Sequence, residues 1–187
     1  MKKVLLIAAF LIVGLTASAI LTNAAFQASE ESKSADNSAT NSLKEYSNPE
    51  FGYKFQYPSD WSIYVSQASP VGHVKISSSN LNFKGDKVTS GTFVEVYAMA
   101  KQDSATLDSW LSELDQKNTD IPILSEEAID LNGLSAVKRV VGTLGDANVP
   151  SFDIYLESEN RIYEIAGPQD IAVQNELEGI INSFQIQ

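Results

Sequence analysis

Histidine occurs once in the chain, at His73, and cysteine does not occur. This narrows the chemistry the sequence can support. A Ser-His-Asp hydrolase would have to use His73 as its base, yet no G-x-S-x-G turn is present to offer a nucleophile. His73 follows Val71 and Gly72 at a junction of loop and strand, the placement of a surface histidine. Without cysteine there is no disulfide framework, thiolate metal site, catalytic thiol or lipid-carrying cysteine. Carboxylates are abundant, 24 acidic residues against 13 basic, and that number always allows some pair at glycosidase spacing. Glu126, Glu127 and Asp146 are the evident picks, and on strands or loops they read as solvated charges. Asp86, Asp146, Asp153 and Asp170 are scattered rather than set in the D-x-[DN]-x-[DN]-G order of a calcium loop. A Gly-rich phosphate loop is also missing. The residue pattern therefore assigns no catalytic, cofactor-binding or metal-ligating position.

The formal net charge is −11. Past the N-terminus no basic cluster exceeds the pair Lys138 and Arg139. Nucleic acid and anionic membrane surfaces both need a basic footprint, so neither is an expected partner. Membrane contact is expected only through the N-terminus. Lys2 and Lys3 precede an apolar run over residues 4–15, and Ala17-Ser18-Ala19 offers a cleavage site. Residues 1–25 therefore read as a signal peptide or, if uncleaved, a membrane anchor, with cleavage favoured. No charge appears between Val4 and Glu30, and such a stretch is long enough to span a bilayer. Either outcome leaves the rest outside the cytoplasm, secreted or held on the outer face of the cytoplasmic membrane, because positive charge lies before the apolar run. Residues 26–44 form a Ser-, Ala- and Asn-rich linker with little to bury, expected to be disordered. Residues 45–187 form one domain, in keeping with their length.

The elements that must position any site begin at residues 46–61, where six aromatics fall in sixteen positions. Phe51, Tyr53, Phe55 and Tyr57 alternate with Gly52, Lys54 and Gln56, the period of a half-buried strand, and Pro58 ends it. Phe51, Phe55 and Trp61 are expected in the core, whereas Tyr46, Tyr53 and Tyr64 are candidates to keep a hydroxyl in water. Trp61, Ile63 and Val65 mark a second strand, Val74 and Ile76 a third, and 93–99 a central strand apolar on both faces. A polar loop is expected over 77–90, with Gly85-Asp86 as its turn. Leu107, Trp110, Leu111 and Leu114 make one helical stripe, with Asp103 or Ser104 as cap and Pro122 forbidding continuation. Asn132-Gly133 predicts a tight hairpin between strands at 123–131 and 134–141. Further strands are expected at 152–156 and 161–166, and a last helix carries Val173, Leu177, Ile180, Ile181 and Phe184. The order is four strands, a helix, four strands and a helix. That order predicts an α+β class, a mainly antiparallel β-sheet flanked by helices on its faces.

Tyr46, Asn48, Gly52-Tyr53, Tyr57-Pro58 and Trp61 at the start, LDSWL at 107–111, Leu131-Asn132-Gly133, and INSF at 181–184 together resemble the PsbP-like family. That family is named for an extrinsic protein of photosystem II. The resemblance covers residues 46–187. It implies an α/β/α sandwich on an antiparallel sheet, usually without catalytic activity, acting by binding a protein partner. Bacterial members are secreted or membrane-tethered. The expected function is thus an extracytoplasmic, non-enzymatic binding or accessory module with an unknown protein partner and no cofactor. The alternatives are an extracytoplasmic carboxylate-dependent hydrolase and a membrane-tethered structural envelope protein. Acidic residues converging with a histidine or arginine in one cleft would favour the hydrolase.

Overall fold

The computed structural model describes residues 42–66, 72–84, 87–102, 105–142, 150–169 and 174–187. The targeting segment, most of the linker, the expected caps Asp103 and Ser104, and Asp86, Asp146, Asp170 and Val173 all lie outside the described residues. The chain first runs through β1 (Leu43–Asn48), β2 (Tyr53–Pro58), β3 (Ser62–Val65) and β4 (Val74–Ser77). Strands β5 (Asn82–Lys84), β6 (Lys87–Ser90) and β7 (Phe93–Ala100) follow, then helix α1 (Leu107–Lys117). Next come β8 (Ile123–Leu131), β9 (Leu134–Val141), β10 (Ser151–Glu157) and β11 (Arg161–Pro168), then helix α2 (Gln174–Asn182) and β12 (Gln185–Ile186).

Seven strands make one sheet in the order β3-β4-β7-β11-β10-β9-β8, with every neighbour antiparallel. The expected α+β class with a mainly antiparallel sheet is what the chain adopts. A second sheet, β1-β2-β12, joins the two ends of the domain, because β12 pairs with β2 through Gln185 and Lys54. β1 starts at Leu43, two residues inside the expected linker. Its sequence LKEYSN carries one aromatic and no apolar alternation, so period gives it no signal; pairing with β2 makes it a strand. The polar stretch 77–90 likewise contains the β5–β6 ribbon, held by backbone pairing rather than burial.

One face of the large sheet carries Val94, Val96, Phe152, Ile154, Tyr163 and Ile165, packed against Tyr53 and Phe55 of β2 and Leu177, Ile180 and Phe184 at the C-terminal end. Burial of these side chains, at about 25 cal/mol per Å2 of apolar surface, is the main stabilising term. Tyr53 is wholly buried, contrary to the expectation of a wet hydroxyl, because its ring packs among those of Tyr46, Phe55, Tyr163 and Phe184; Tyr64 is exposed as expected. The opposite face is covered by α1. Leu107 and Leu111 bury against Met99, Tyr155 and Ile162, with Trp110 packed beside them, its ring 5.6 Å from that of Tyr155. Thr106 caps α1 by accepting from the Ser109 N–H, and the Ser109 hydroxyl accepts from the Thr106 N–H. The cap is therefore two or three residues beyond the expected positions, Ser104 or Asp103. At the β8–β9 turn Asn132 and Gly133 have φ of 57° and 81°, the left-handed pair of a type I′ hairpin, and the strand ends match the expected bounds.

Candidate functional site

Alternation decides which side chains share a face. On the α1 side, register places Lys75 of β4 opposite Glu95 of β7, then Glu95 opposite Ala166 of β11, Ala166 opposite Asp153 of β10, Asp153 opposite Arg139 of β9, and Arg139 opposite Glu126 of β8. The next row holds Tyr97, Glu164 and Tyr155. Six of these nine residues are acids or bases and two more are tyrosines, drawn from six strands that the chain visits in a different order. Linear sequence gives no hint of this belt beyond single acids inside apolar strands, Glu95 in FVEVYAM and Glu164 in RIYEIAG.

At one end of the belt, His73 stacks on Tyr97 with ring centroids 4.4 Å apart and planes 2° from parallel. Its side chain is 17% exposed, and its Nε2 lies 3.6 Å from Glu95 Oε1, beyond hydrogen-bond reach. His73 is therefore a packed residue and not the surface histidine expected from its loop position; Gly72 admits the Phe51 ring so closely that a Cβ there would meet it at 2.4 Å. Lys75 Nζ lies 3.5 Å from the same Glu95 oxygen and 4.0 Å from the Phe93 ring centre, and the Tyr97 hydroxyl donates to Glu95 Oε2 at 3.1 Å. Burial alone would raise the Glu95 pKa, but His73, Lys75 and Tyr97 outweigh it and hold this carboxyl below its usual range.

At the other end, Arg139 is 5% exposed. Its Nη1 and Nη2 donate to both Asp115 oxygens of α1 at 2.7 and 3.0 Å, and its Nε donates to Glu126 at 2.7 Å. This fork ties α1 to the sheet edge. Burial lowers its affinity for a proton, but the two carboxylates more than restore it, so Arg139 stays charged.

Between the ends the acids are poorly compensated. Burial pushes Glu164 up to about 8, helped by the negative charges of Asp153 and Glu95. Burial also raises Asp153 to about 6, against the pull of Tyr155 and Arg139. Burial raises the Tyr97 and Tyr155 hydroxyls well above the ordinary tyrosine value. A neutral Glu164 and a partly neutral Asp153 can donate hydrogen bonds or a proton near neutral pH. Among the described residues, no group of three His, Asp or Glu side chains is placed to hold a metal ion.

Of the acids singled out from sequence, Glu126 joins the belt through Arg139, while Glu127 turns to the other face beside Lys138 at 3.6 Å. Asp153 belongs to the belt on a strand, not to a loop set. Two cavities are found among the described residues, and the second reaches His73 at the end of the belt. One of about 310 Å3 sits between α2 and the far face, lined by Ile129, Lys138, Phe152, Ile154, Leu177 and Ile181 among others. The other, about 280 Å3, is lined by Asn48, Phe51, Val65 and His73 among others. Neither is lined by Glu95, Asp153 or Glu164.

A sequence profile described as PsbP-like protein matches residues 4–186. The chain belongs to the PsbP-like family. No curated protein matches the sequence. Among solved structures, the PsbP-like fold is similar to the cyanobacterial PsbP (CyanoP) of Synechocystis sp. PCC 6803, with a TM-score of 0.56 and 16% identity over 83% of this chain and 98% of that one. It is also similar to a Bacteroides thetaiotaomicron protein, with a TM-score of 0.52 and 16% identity over 77% of this chain and 48% of that one. At these identities the likeness is one of fold. No helix among the described residues of this PsbP-like chain is long and apolar enough to cross a membrane.

Proposed function

We infer that this PsbP-like chain is an extracytoplasmic, non-enzymatic accessory module that acts by binding a protein partner. The observation that carries this reading is that the charged groups at the two ends of the belt are neutralised by partners within the domain. Arg139 is occupied by Asp115 and Glu126, and Glu95 by Lys75, His73 and Tyr97. The two carboxyls left over line neither cavity. Catalytic groups need a concave space in which a substrate can reach them. The N-terminal apolar run and its cleavage site support export.

A second reading has one specific observation behind it. Acids do converge with a histidine and an arginine on one sheet face, and Glu164 and Asp153 have raised pKa values of the kind used by a general acid. Such a pair would suit a carboxylate-dependent hydrolase. Affinity capture from native membranes separates the two. The binding-module reading expects Glu164→Gln and His73→Ala to retain both the captured partner and the cellular phenotype. Loss of the phenotype with partner capture and folding intact would overturn it in favour of the hydrolase. Sequencing the N-terminus of the exported protein distinguishes a mature start near Ile20 from an intact Met1, and the latter would favour a tethered envelope role.

A further inference from the structure

Strand β8 is the terminal strand of the seven-stranded sheet, and seven of its nine residues are exposed. At about 3.4 Å per residue it offers an edge about 30 Å long. In a hairpin closed by a two-residue turn, the residues flanking the turn form a hydrogen-bonded pair, and hydrogen-bonded pairs then recur at every second residue. Leu131, Ile129 and Glu127 therefore bond inward to Leu134, Ala136 and Lys138 of β9. The N–H and C=O groups of Glu126, Ala128 and Asp130 point outward, and among the described residues nothing bonds to them.

The 310 Å3 cavity opens beside this same edge. Ile129 and Leu131 of β8 line it, its floor is Phe152 and Ile154, and Leu177 and Ile181 of α2 roof it. An open strand edge with an apolar pocket on one face has the parts of a strand-addition site: main-chain hydrogen bonds supply affinity, and a pocket for alternate side chains supplies selectivity. By alternation the opposite face of β8 carries Glu126 and Asp130, though Asp130 also borders the cavity and accepts from the Gly133 N–H. Glu126 keeps half of its side chain in solvent despite its bond to Arg139.

We propose that the β8 edge binds an extended segment of a partner protein as an eighth strand, with a bulky apolar side chain in the cavity and basic side chains on the acidic face. This rests on the binding-module reading and names its surface. A second copy of this chain does not suit the edge, because a two-fold β8 pair would lay the Glu126 and Glu127 run against itself, and like charges across a strand pair repel.

The test uses the full chain and one synthetic probe, the acetylated and amidated heptapeptide of sequence KTKLKTK, whose leucine and threonines face one side and lysines the other. Fluorescence anisotropy should show saturable binding. Replacing the leucine by aspartate should weaken it at least tenfold. Backbone N-methylation at alternate residues should abolish binding in one phase and spare it in the other, since only one set of amides meets the edge. Ala128→Pro removes one outward N–H while leaving the ladder to β9 intact, and should weaken binding at least tenfold with an unchanged melting curve. Ile181→Gln, on the cavity wall, should weaken the leucine probe and leave the aspartate probe unchanged.

Absence of saturable binding overturns the proposal, as do equal effects of N-methylation in both phases or full affinity in Ala128→Pro. Binding that appears only after residues 1–41 are removed would make the chain's own N-terminal segment the occupant and also overturns it. A dimer that the probe dissociates would assign the edge to a second copy, with the same consequence. If Ala128→Pro still captures the partner that the wild-type chain captures from native membranes, the edge assignment falls while the binding-module reading stands. Failure of the wild-type chain to capture any partner removes both.

Discussion

Glu164→Gln replaces a carboxyl in the middle of the belt with an amide of nearly the same shape, and the structure sets both the sign and the size of the effect. A glutamate that titrates near 8 rather than 4.5 is held neutral by the fold. The stability this supplies is complete below the unfolded value near 4.5 and is lost as pH rises through 8, because the unfolded chain ionises freely while the folded one resists. At about 1.4 kcal/mol for each pH step, the full penalty above pH 8 approaches 5 kcal/mol. Glu164 keeps part of its surface in water, and solvent screening reduces that figure to about 2 kcal/mol. Glutamine has no ionisation to suppress. Urea unfolding at pH 4, 7 and 9 should therefore give equal stability for variant and wild type at pH 4, and a variant more stable by about 2 kcal/mol at pH 9. Parallel pH profiles for the two proteins would refute the reasoning, since they would mean that Glu164 is ionised in the fold throughout this range.

Arg139→Met removes the fork from α1 to the sheet edge. Asp115 and Glu126 are exposed enough to rehydrate, so the expected loss is about 2–3 kcal/mol, below the full penalty of a broken buried pair, and is read from urea unfolding. Asn132→Ala loses the two hydrogen bonds that Nδ2 donates to the Asn182 and Phe184 carbonyls at 2.7 and 3.0 Å and strains a left-handed residue. A loss of about 2 kcal/mol is expected, with amide exchange rising first at the β8–β9 turn and the end of α2. Thr106→Ala should lower stability by about 1 kcal/mol through the α1 cap, read from a thermal melt. Asp153→Asn should also flatten the pH profile of stability, over the narrower window between about 4 and 6, because its folded value is raised less.

Periodicity and punctuation were sufficient for much of the fold. Alternation around Tyr53 and Phe55, the Leu107 to Leu114 stripe, and the Asn132-Gly133 turn are local signals whose physics acts within a few residues, and each was legible. β1 was not, because LKEYSN has no face to bury and owes its strand to Tyr57, Phe55 and Tyr53 across the ladder. The cap of α1 shifted to Thr106 because Ser109 completes a reciprocal pair there, a choice of hydrogen-bond geometry that residue type alone left open.

The site divides in the same way. Composition determined that chemistry by thiols or by a histidine cluster is absent, and that acidic residues outnumber basic ones, 24 to 13. Only the tertiary structure decided that Glu95, Asp153 and Glu164 share one face, that His73 packs on Tyr97, and that β8 lies at an open edge beside a cavity. These residues are up to 91 positions apart, from His73 to Glu164, and their meeting follows from the strand order β4-β7-β11-β10. Side-chain period is local and reads out in sequence, but strand order is set by long-range packing that no short window of residues contains.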